Sequence, residues 1–202
     1  MPATLRLATA GDVAGIVRVY VRAYAQPPWN ERNDPANSER YLRWVMNHPR
    51  TCCVVALAPL AATPDATHVE EVAGFVLAGE RPYAAFVADW ERMGDRPRDG
   101  WPALPGKLGY IWELAVDPAA QRRGIGAALG GDAIARLRAG GVERVVLRSS
   151  ERATAAVALY RRFGFQRLPL AERVDPLAGP WVLALGEAVS GGGTAGSATD
   201  AP

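Results

Sequence analysis

The sequence predicts an α/β domain, on three observations. Short apolar runs rich in β-branched residues alternate with stretches of helical spacing, and a glycine-bearing turn joins one such run directly to a helix. In addition, 49% hydrophobic content with 22% charge over 202 residues suits one compact domain with a buried core. In chain order, Asp12 is placed to accept backbone N–H bonds at the start of a helix over Val13 to Tyr24. A second helix follows over about 37–47. Thr51 to Leu57 and Val72 to Ala78 are apolar runs separated by the polar, proline-bearing segment Pro59 to Glu71, as expected of antiparallel strands joined by a loop. After Pro82, residues Tyr83, Phe86, Val87 and Trp90 fall at i, i+3, i+4 and i+7, which predicts an amphipathic helix followed by a Gly/Pro-rich return. Gly109 to Val116 reads as a strand, and Leu129, Ala133, Ile134 and Leu137 recur at helical spacing until Gly140-Gly141 stops the pattern. A strand over Val142 to Leu147, a helix over about 151–163, and strands over Phe165 to Leu168 and Trp181 to Leu185 complete the domain, set at residues 3–186. The segment 187–202, dominated by Gly, Ala, Ser and Thr, buries too little apolar surface to offset its ordering entropy and is expected to be disordered.

The turn between Val116 and Leu129 has the makings of an anion site. The first N–H groups of a helix lack internal partners and carry the positive end of its dipole, and Gly124 and Gly126 let a ligand come close to the backbone. Three pyrophosphate-binding patterns compete here. The dinucleotide pattern needs glycine at position 129, which is Leu129, and the P-loop needs a Gly-Lys-Ser/Thr that is absent. What remains is Gln-x-x-Gly-x-Gly/Ala. The run Gln121-Arg122-Arg123-Gly124-Ile125-Gly126 matches it at every position, after a strand ending in Val116-Asp117-Pro118.

That run resembles the acetyl-CoA loop of the GCN5-related N-acetyltransferase (GNAT) family. A second stretch, Tyr160-Arg161-Arg162-Phe163-Gly164-Phe165, resembles the family's helix carrying Leu-Tyr-x-x-x-Gly-Phe, in order and at the usual distance. Leu5 to Asp12 resembles the family's opening strand and helix cap, and the order β-α-α-β-β-β-α-β-α-β-β is that of the family. The resemblance implies a GNAT fold: a mixed, mostly antiparallel twisted sheet flanked by helices, here with a helical insert at 80–107 before the coenzyme-binding strand. It implies acetyl-CoA as co-substrate, with no metal, held by Leu114, Ala115, Val116, Gln121, Arg122, Arg123, Gly124, Ile125, Gly126 and Ala127. In the family the strand splays after a bulge and offers its backbone to the pantetheine arm and the thioester oxygen. One departure is visible. The family commonly has asparagine seven residues before the tyrosine, and that position is Ala153, so the contact is lost or supplied by Ser149, Ser150 or Thr154.

Acyl transfer to an amine needs a neutral amine, a donor for the developing oxyanion and a means of protonating the leaving thiolate. An alkylamine of pKa about 10.4 is neutral in only about one molecule in two thousand at pH 7, so a base helps. Glu113 lies within an otherwise apolar strand, where the resemblance implies a catalytic base; the alternative is a salt bridge or a polar side chain on an exposed face. If it is the base, Glu113→Gln is expected to lower turnover most at low pH. Tyr160 matches the tyrosine that in many members acts as general acid toward the coenzyme sulfur; the alternative is a core aromatic sharing a helix face with Val157 and Phe163. A phenol of pKa about 10 facing a thiolate of pKa about 8.5 makes a stabilising hydrogen bond as important as full transfer.

The acceptor is less legible. Trp29 lies in the loop after the first helix, and Tyr83 and Trp90 lie on the insert's aromatic stripe, so these three are the expected substrate-binding residues. The insert then serves as an acceptor-side lid, or else packs on the sheet or forms a homodimer contact. The expected activity is transfer of acetyl to a primary amine of a small molecule or peptide by direct attack in a ternary complex. A ribosomal-protein-type protein N-acetyltransferase and a non-catalytic acyl-CoA-binding or sensory module are the alternatives.

Other classes find little support. A net charge of +2 with no long block of like charge argues against nucleic-acid binding, and no apolar run is long enough for a membrane span. No signal peptide is visible, which makes a cytoplasmic location the expectation. Lys107 is the only lysine among 23 basic residues, a bias that hints at a GC-rich bacterial genome. Cys52 and Cys53 are adjacent in a strand, point to opposite faces and make a poor disulfide, so they are expected to be structural. His48 and His68 have no spaced partners resembling a metal site.

Overall fold

A computed structural model describes residues 3–59, 70–94 and 100–185. Seven strands form one sheet in the order β1-β2-β3-β4-β5-β7-β6, comprising β1 (Thr4–Leu7), β2 (Thr51–Ala58), β3 (Glu71–Glu80), β4 (Leu108–Val116), β5 (Arg144–Ser150), β6 (Gln166–Arg167) and β7 (Ala178–Ala184). Every pairing is antiparallel except β4 with β5, whose connection runs through a crossover helix. The helices are α1 (Val13–Tyr24), α2 (Pro35–Met46), α3 (Tyr83–Met93), α4 (Ile125–Ala139) and α5 (Thr154–Phe163). The tail at 187–202, His68 and most of the loop between β2 and β3 lie outside the described residues.

Strand alternation divides the core between the two faces of the sheet. Val54, Val76, Val145 and Leu147 meet Leu129, Ala133 and Leu137 of α4 and Val157 and Tyr160 of α5 on one face. Val55, Phe75 and Leu77 meet Ile16 and Val19 of α1 and Leu42 and Val45 of α2 on the other. The same alternation separates the two free cysteines: Cys53 is buried in the second cluster, while Cys52 is half-buried and feels the charges of Asp132 and Arg136 on α4.

Two local expectations give way. Asp12 does not cap α1; its carboxylate turns back to accept from Arg6 at 2.7 and 2.8 Å and from the Thr9 backbone N at 2.6 Å. That guanidinium holds the Asp12 carboxyl well below the usual carboxylate range. A charged partner in reach outcompetes a backbone N–H whose own first-turn alternatives include water. The second helix begins at Pro35 rather than near 37, because Asp34 accepts from the Asn37 N at 2.8 Å and proline suits the first helical position.

The insert forms α3 and packs on the sheet. Phe86 joins Leu104, Leu108 and Val146 in a third buried cluster, on the face opposite to Val145 and Leu147. So α3 extends the layer made by α1 and α2, with its apolar stripe turned inward.

Candidate active site

The sheet opens between β4 and β5. Their parallel pairing runs from Leu108↔Arg144 to Ile111↔Leu147 and stops, while β5 continues to Ser150 against β7. Beyond Ile111 the facing edges of β4 and β5 are unpaired with each other, and a cavity of about 830 Å³ occupies the gap. Its wall includes Glu113, Leu114, Ala115 and Val116 from β4, Leu147, Arg148 and Ser149 from β5, and Tyr160 from α5.

At the mouth of the gap the chain turns from β4 into α4. Asp117 accepts from the Ala119 N at 2.9 Å to set a short 3-10 turn, and Gln121 Nε2 donates to the Val116 carbonyl at 3.3 Å. Arg122 and Gly124 adopt positive φ, 64° and 81°, and Gly124 is the residue before the helix. The first return bond of α4 is Ala128 N to Gly124 O at 3.0 Å, which leaves the preceding N–H groups at the helix start without intrahelical partners. A Cβ on Gly126 would meet only ordinary contacts, 3.6 Å to Leu159 and 3.7 Å to Val116, so packing does not require glycine there. Free N–H groups, a helix dipole and an unobstructed approach fit a pyrophosphate, and the unpaired β4 edge fits an extended amide-bearing arm. The Ser149 hydroxyl adds a donor: it lines the cavity, is 2% exposed and has no partner among the described residues.

Glu113 is aimed by a bulge. The register of β3 on β4 passes from Leu77↔Glu113 to Ala78↔Ile111, leaving Trp112 without an opposite residue. Two successive side chains, Trp112 and Glu113, therefore project toward the α1/α2 layer. There Tyr24 of α1 donates to Oε2 at 2.5 Å and Tyr41 of α2 donates to Oε1 at 2.7 Å. Glu113 is only 7% exposed. Burial pushes its carboxyl up to about 7, against the opposing pull of the two tyrosine hydrogen bonds. Burial, with the neighbouring Glu113 charge, raises the Tyr160 phenol, so that hydroxyl stays protonated across the neutral range. The same causes raise Tyr24 and Tyr41.

Of the residues singled out from sequence, the cavity brings together Glu113, Tyr160, Leu114, Ala115, Val116, Gln121, Arg122, Gly124, Ile125, Gly126 and Trp29. Four do not line it. Ala127 is set back on α4, and Arg123 turns away to donate to the Pro59 carbonyl at 3.0 Å. Tyr83 donates to the Pro102 carbonyl at 3.0 Å, and Trp90 is buried at 2% exposure. Neither therefore reaches the cavity as the sequence reading expected: Trp90 is on the side of α3 that packs, as apolar stripes on surface helices do, while Tyr83 stays 36% exposed away from it. The cavity meets α3 through Asp89 and Arg92 on its polar side and through Met93, one turn beyond Trp90. Sequence reasoning also missed Tyr24 and Tyr41, whose only signal was an aromatic residue with a polar tip on the inward face of each of the first two helices.

The acetyltransferase (GNAT) family model matches residues 16–165. The chain belongs to that family. It is 38% identical over 98 residues to a mycothiol acetyltransferase of Salinispora tropica, covering 48% of this chain and 30% of that protein. A mycothiol acetyltransferase of Cellulomonas flavigena is 38% identical over 110 residues, covering 54% of this chain and 30% of the relative. The match thus spans under a third of these relatives' length. Among solved structures, the acetyltransferase yncA of Salmonella typhimurium with acetyl-CoA superposes with a TM-score of 0.61 at 20% identity, covering 94% of this chain and 98% of that one. A ribosomal-protein-alanine N-acetyltransferase of Escherichia coli gives 0.59 at 19% identity, with 94% and 97% covered. At those identities the structures share the fold. Among the described residues no helix is long and apolar enough to cross a membrane.

Proposed function

We propose that residues 3–186 form an acetyl-CoA-dependent N-acetyltransferase that acetylates a primary amine of a small molecule or peptide by direct attack in a ternary complex. The observation that carries this reading is Glu113: a buried carboxylate held by two tyrosines, with a pKa of about 7, in the same cavity as Tyr160 and the start of α4. A base poised near neutrality both exists as carboxylate and accepts a proton readily. Backbone N–H groups at Gly124 and Gly126, the β4 edge at Leu114 to Val116 and the free Ser149 hydroxyl would hold acetyl-CoA. Bound there, it supplies a thioester carbonyl as electrophile. Glu113 takes the proton from the acceptor ammonium, freeing the nitrogen lone pair to form the C–N bond as the C–S bond breaks. Tyr160 donates a hydrogen bond to the departing sulfur, and its raised pKa favours that bond over complete transfer. The nitrogen sheds two protons overall: Glu113 passes the first to solvent, and the second, lost as the amide forms, balances the one that the thiolate gains.

Free thiol released from acetyl-CoA across a panel of amines tests the proposal, and the panel includes a mycothiol-related amine because of the relatives' name. Amine-dependent release supports it. Release no faster with any amine than with none would favour a non-catalytic acyl-CoA-binding module instead.

A further inference from the structure

The amine-facing end of the cavity is walled by aromatic rings. Trp29, Tyr24, Tyr20, Tyr41 and Trp44 form a continuous run, with successive ring centroids 5.8, 4.7, 6.0 and 6.5 Å apart. All five line the cavity, as does Trp112 from the bulge of β4. Trp44 is 56% exposed, so its ring does not serve the core; it packs on Tyr41 and edge-on against His48, 4.3 Å between centroids, and is left largely open at the cavity wall.

Of the carboxylates at this end Asp89 is ion-paired, whereas Glu31 meets only a neutral side chain among the described residues. Asp89 is clasped by Arg81 and Arg92, Glu31 accepts from Asn33 at 2.8 Å, and Glu113 takes both tyrosine hydroxyls. Arg81 also lies over the Trp112 ring at 5.8 Å. Two arginines against one aspartate on the α3 side leave positive charge in excess. A polyamine would need a second anion away from that side, and an amino sugar, though it carries a single ammonium, would need hydrogen-bond partners for its hydroxyls where the wall offers ring faces. A ring-bearing monoamine needs neither: its amine meets Glu113, and its ring gains apolar burial and offset or edge contacts with ring faces.

We infer that the acceptor is a primary monoamine carrying an aromatic ring, seated with the ring against Trp44. The inference rests on the acetyltransferase reading and deepens it. The same chemistry occurs in a free arylalkylamine and at the N-terminus of a peptide beginning with phenylalanine, and both belong in the test.

The test measures amine-dependent thiol release with phenethylamine, tryptamine, a phenylalanine-initiated peptide, n-butylamine, spermidine and glucosamine, in the wild type, Trp44→Ala and Trp44→Phe. The expected result is kcat/KM at least about tenfold higher for the ring-bearing amines than for the other three. Trp44→Ala should erase most of that ratio through a higher KM, and Trp44→Phe should restore it. The better of the phenethylamine and peptide arms identifies the source of the ring. Preference for spermidine or glucosamine, or an undiminished ring preference in Trp44→Ala, overturns the inference while leaving acetyl transfer intact. Thiol release at the no-amine rate for every amine overturns the acetyltransferase reading itself, and this inference with it.

Discussion

Replacing Glu113 with glutamine separates what the carboxylate does for chemistry from what its burial costs the fold. Its pKa stands at about 7 against 4.5 for the free side chain. Each tenfold change in acidity is worth about 1.4 kcal/mol, so the ionised form costs the folded state roughly 3 kcal/mol above neutrality. The folded pKa is the higher one. Stability from this group is therefore fully present below about 4.5 and is lost as pH rises through about 7. Glutamine is neutral throughout but keeps one acceptor oxygen for Tyr24 or Tyr41, and the lost second hydrogen bond takes back about 1 kcal/mol. The variant should therefore be about 2 kcal/mol more stable than wild type in urea unfolding at pH 8, with that advantage gone at pH 4. Its turnover should fall by about 10²-fold. A base matters most where the amine is protonated, which by itself points to low pH, but Glu113 is itself protonated below about 7. The largest loss accordingly moves to the window between about pH 7 and the amine's own pKa of about 10.4. Parallel pH profiles of stability in the two proteins, or parallel pH–rate profiles, would refute the reasoning.

Three further outcomes follow from the geometry. Gly126→Glu places bulk and negative charge at the helix start, where the added Cβ meets only ordinary contacts, so calorimetric acetyl-CoA binding should fall at least about tenfold in a folded protein; unchanged binding would remove the loop from the coenzyme site. Tyr160→Phe should lower kcat by about 10²-fold with acetyl-CoA affinity nearly constant, as a hydrogen bond formed only as the C–S bond breaks requires; an unaltered kcat would assign Tyr160 to the core alone. Trp90→Ala should cost about 3–5 kcal/mol of stability, read by denaturant unfolding, while KM values per folded molecule hold across the amine panel; a changed ranking of amines would reinstate the stripe as an acceptor surface.

Much of the architecture was legible because it rests on short-range regularities. Periodic patterns placed α1 at its observed limits and most other helices and strands within a few residues, the family resemblance supplied β1, and the Gln-x-x-Gly-x-Gly run located the β4–α4 turn. Asp12 misled because its cap role depends on what else its carboxylate can reach, and Arg6 is a stronger partner than an N–H. Trp90 could not be told from a packing residue in the sequence, because an apolar stripe has the same spacing whether it meets a ligand or a sheet.

The sequence by itself determined the element order and the glycine turn that opens α4, since these depend on local propensity and spacing, while Glu113 and Tyr160 stood out through the family resemblance. Tertiary structure alone decided where the carboxylate points. Strict alternation would send Glu113 to the α4 face with Ile111; one extra residue at Trp112 turns it toward Tyr24 and Tyr41, which stand 89 and 72 positions away in the chain. The raised pKa follows from that convergence, and the aromatic run along the cavity wall likewise joins rings from separate segments. No local pattern encodes them, because burial and contact between distant segments exist only once the sheet and both helical layers are assembled.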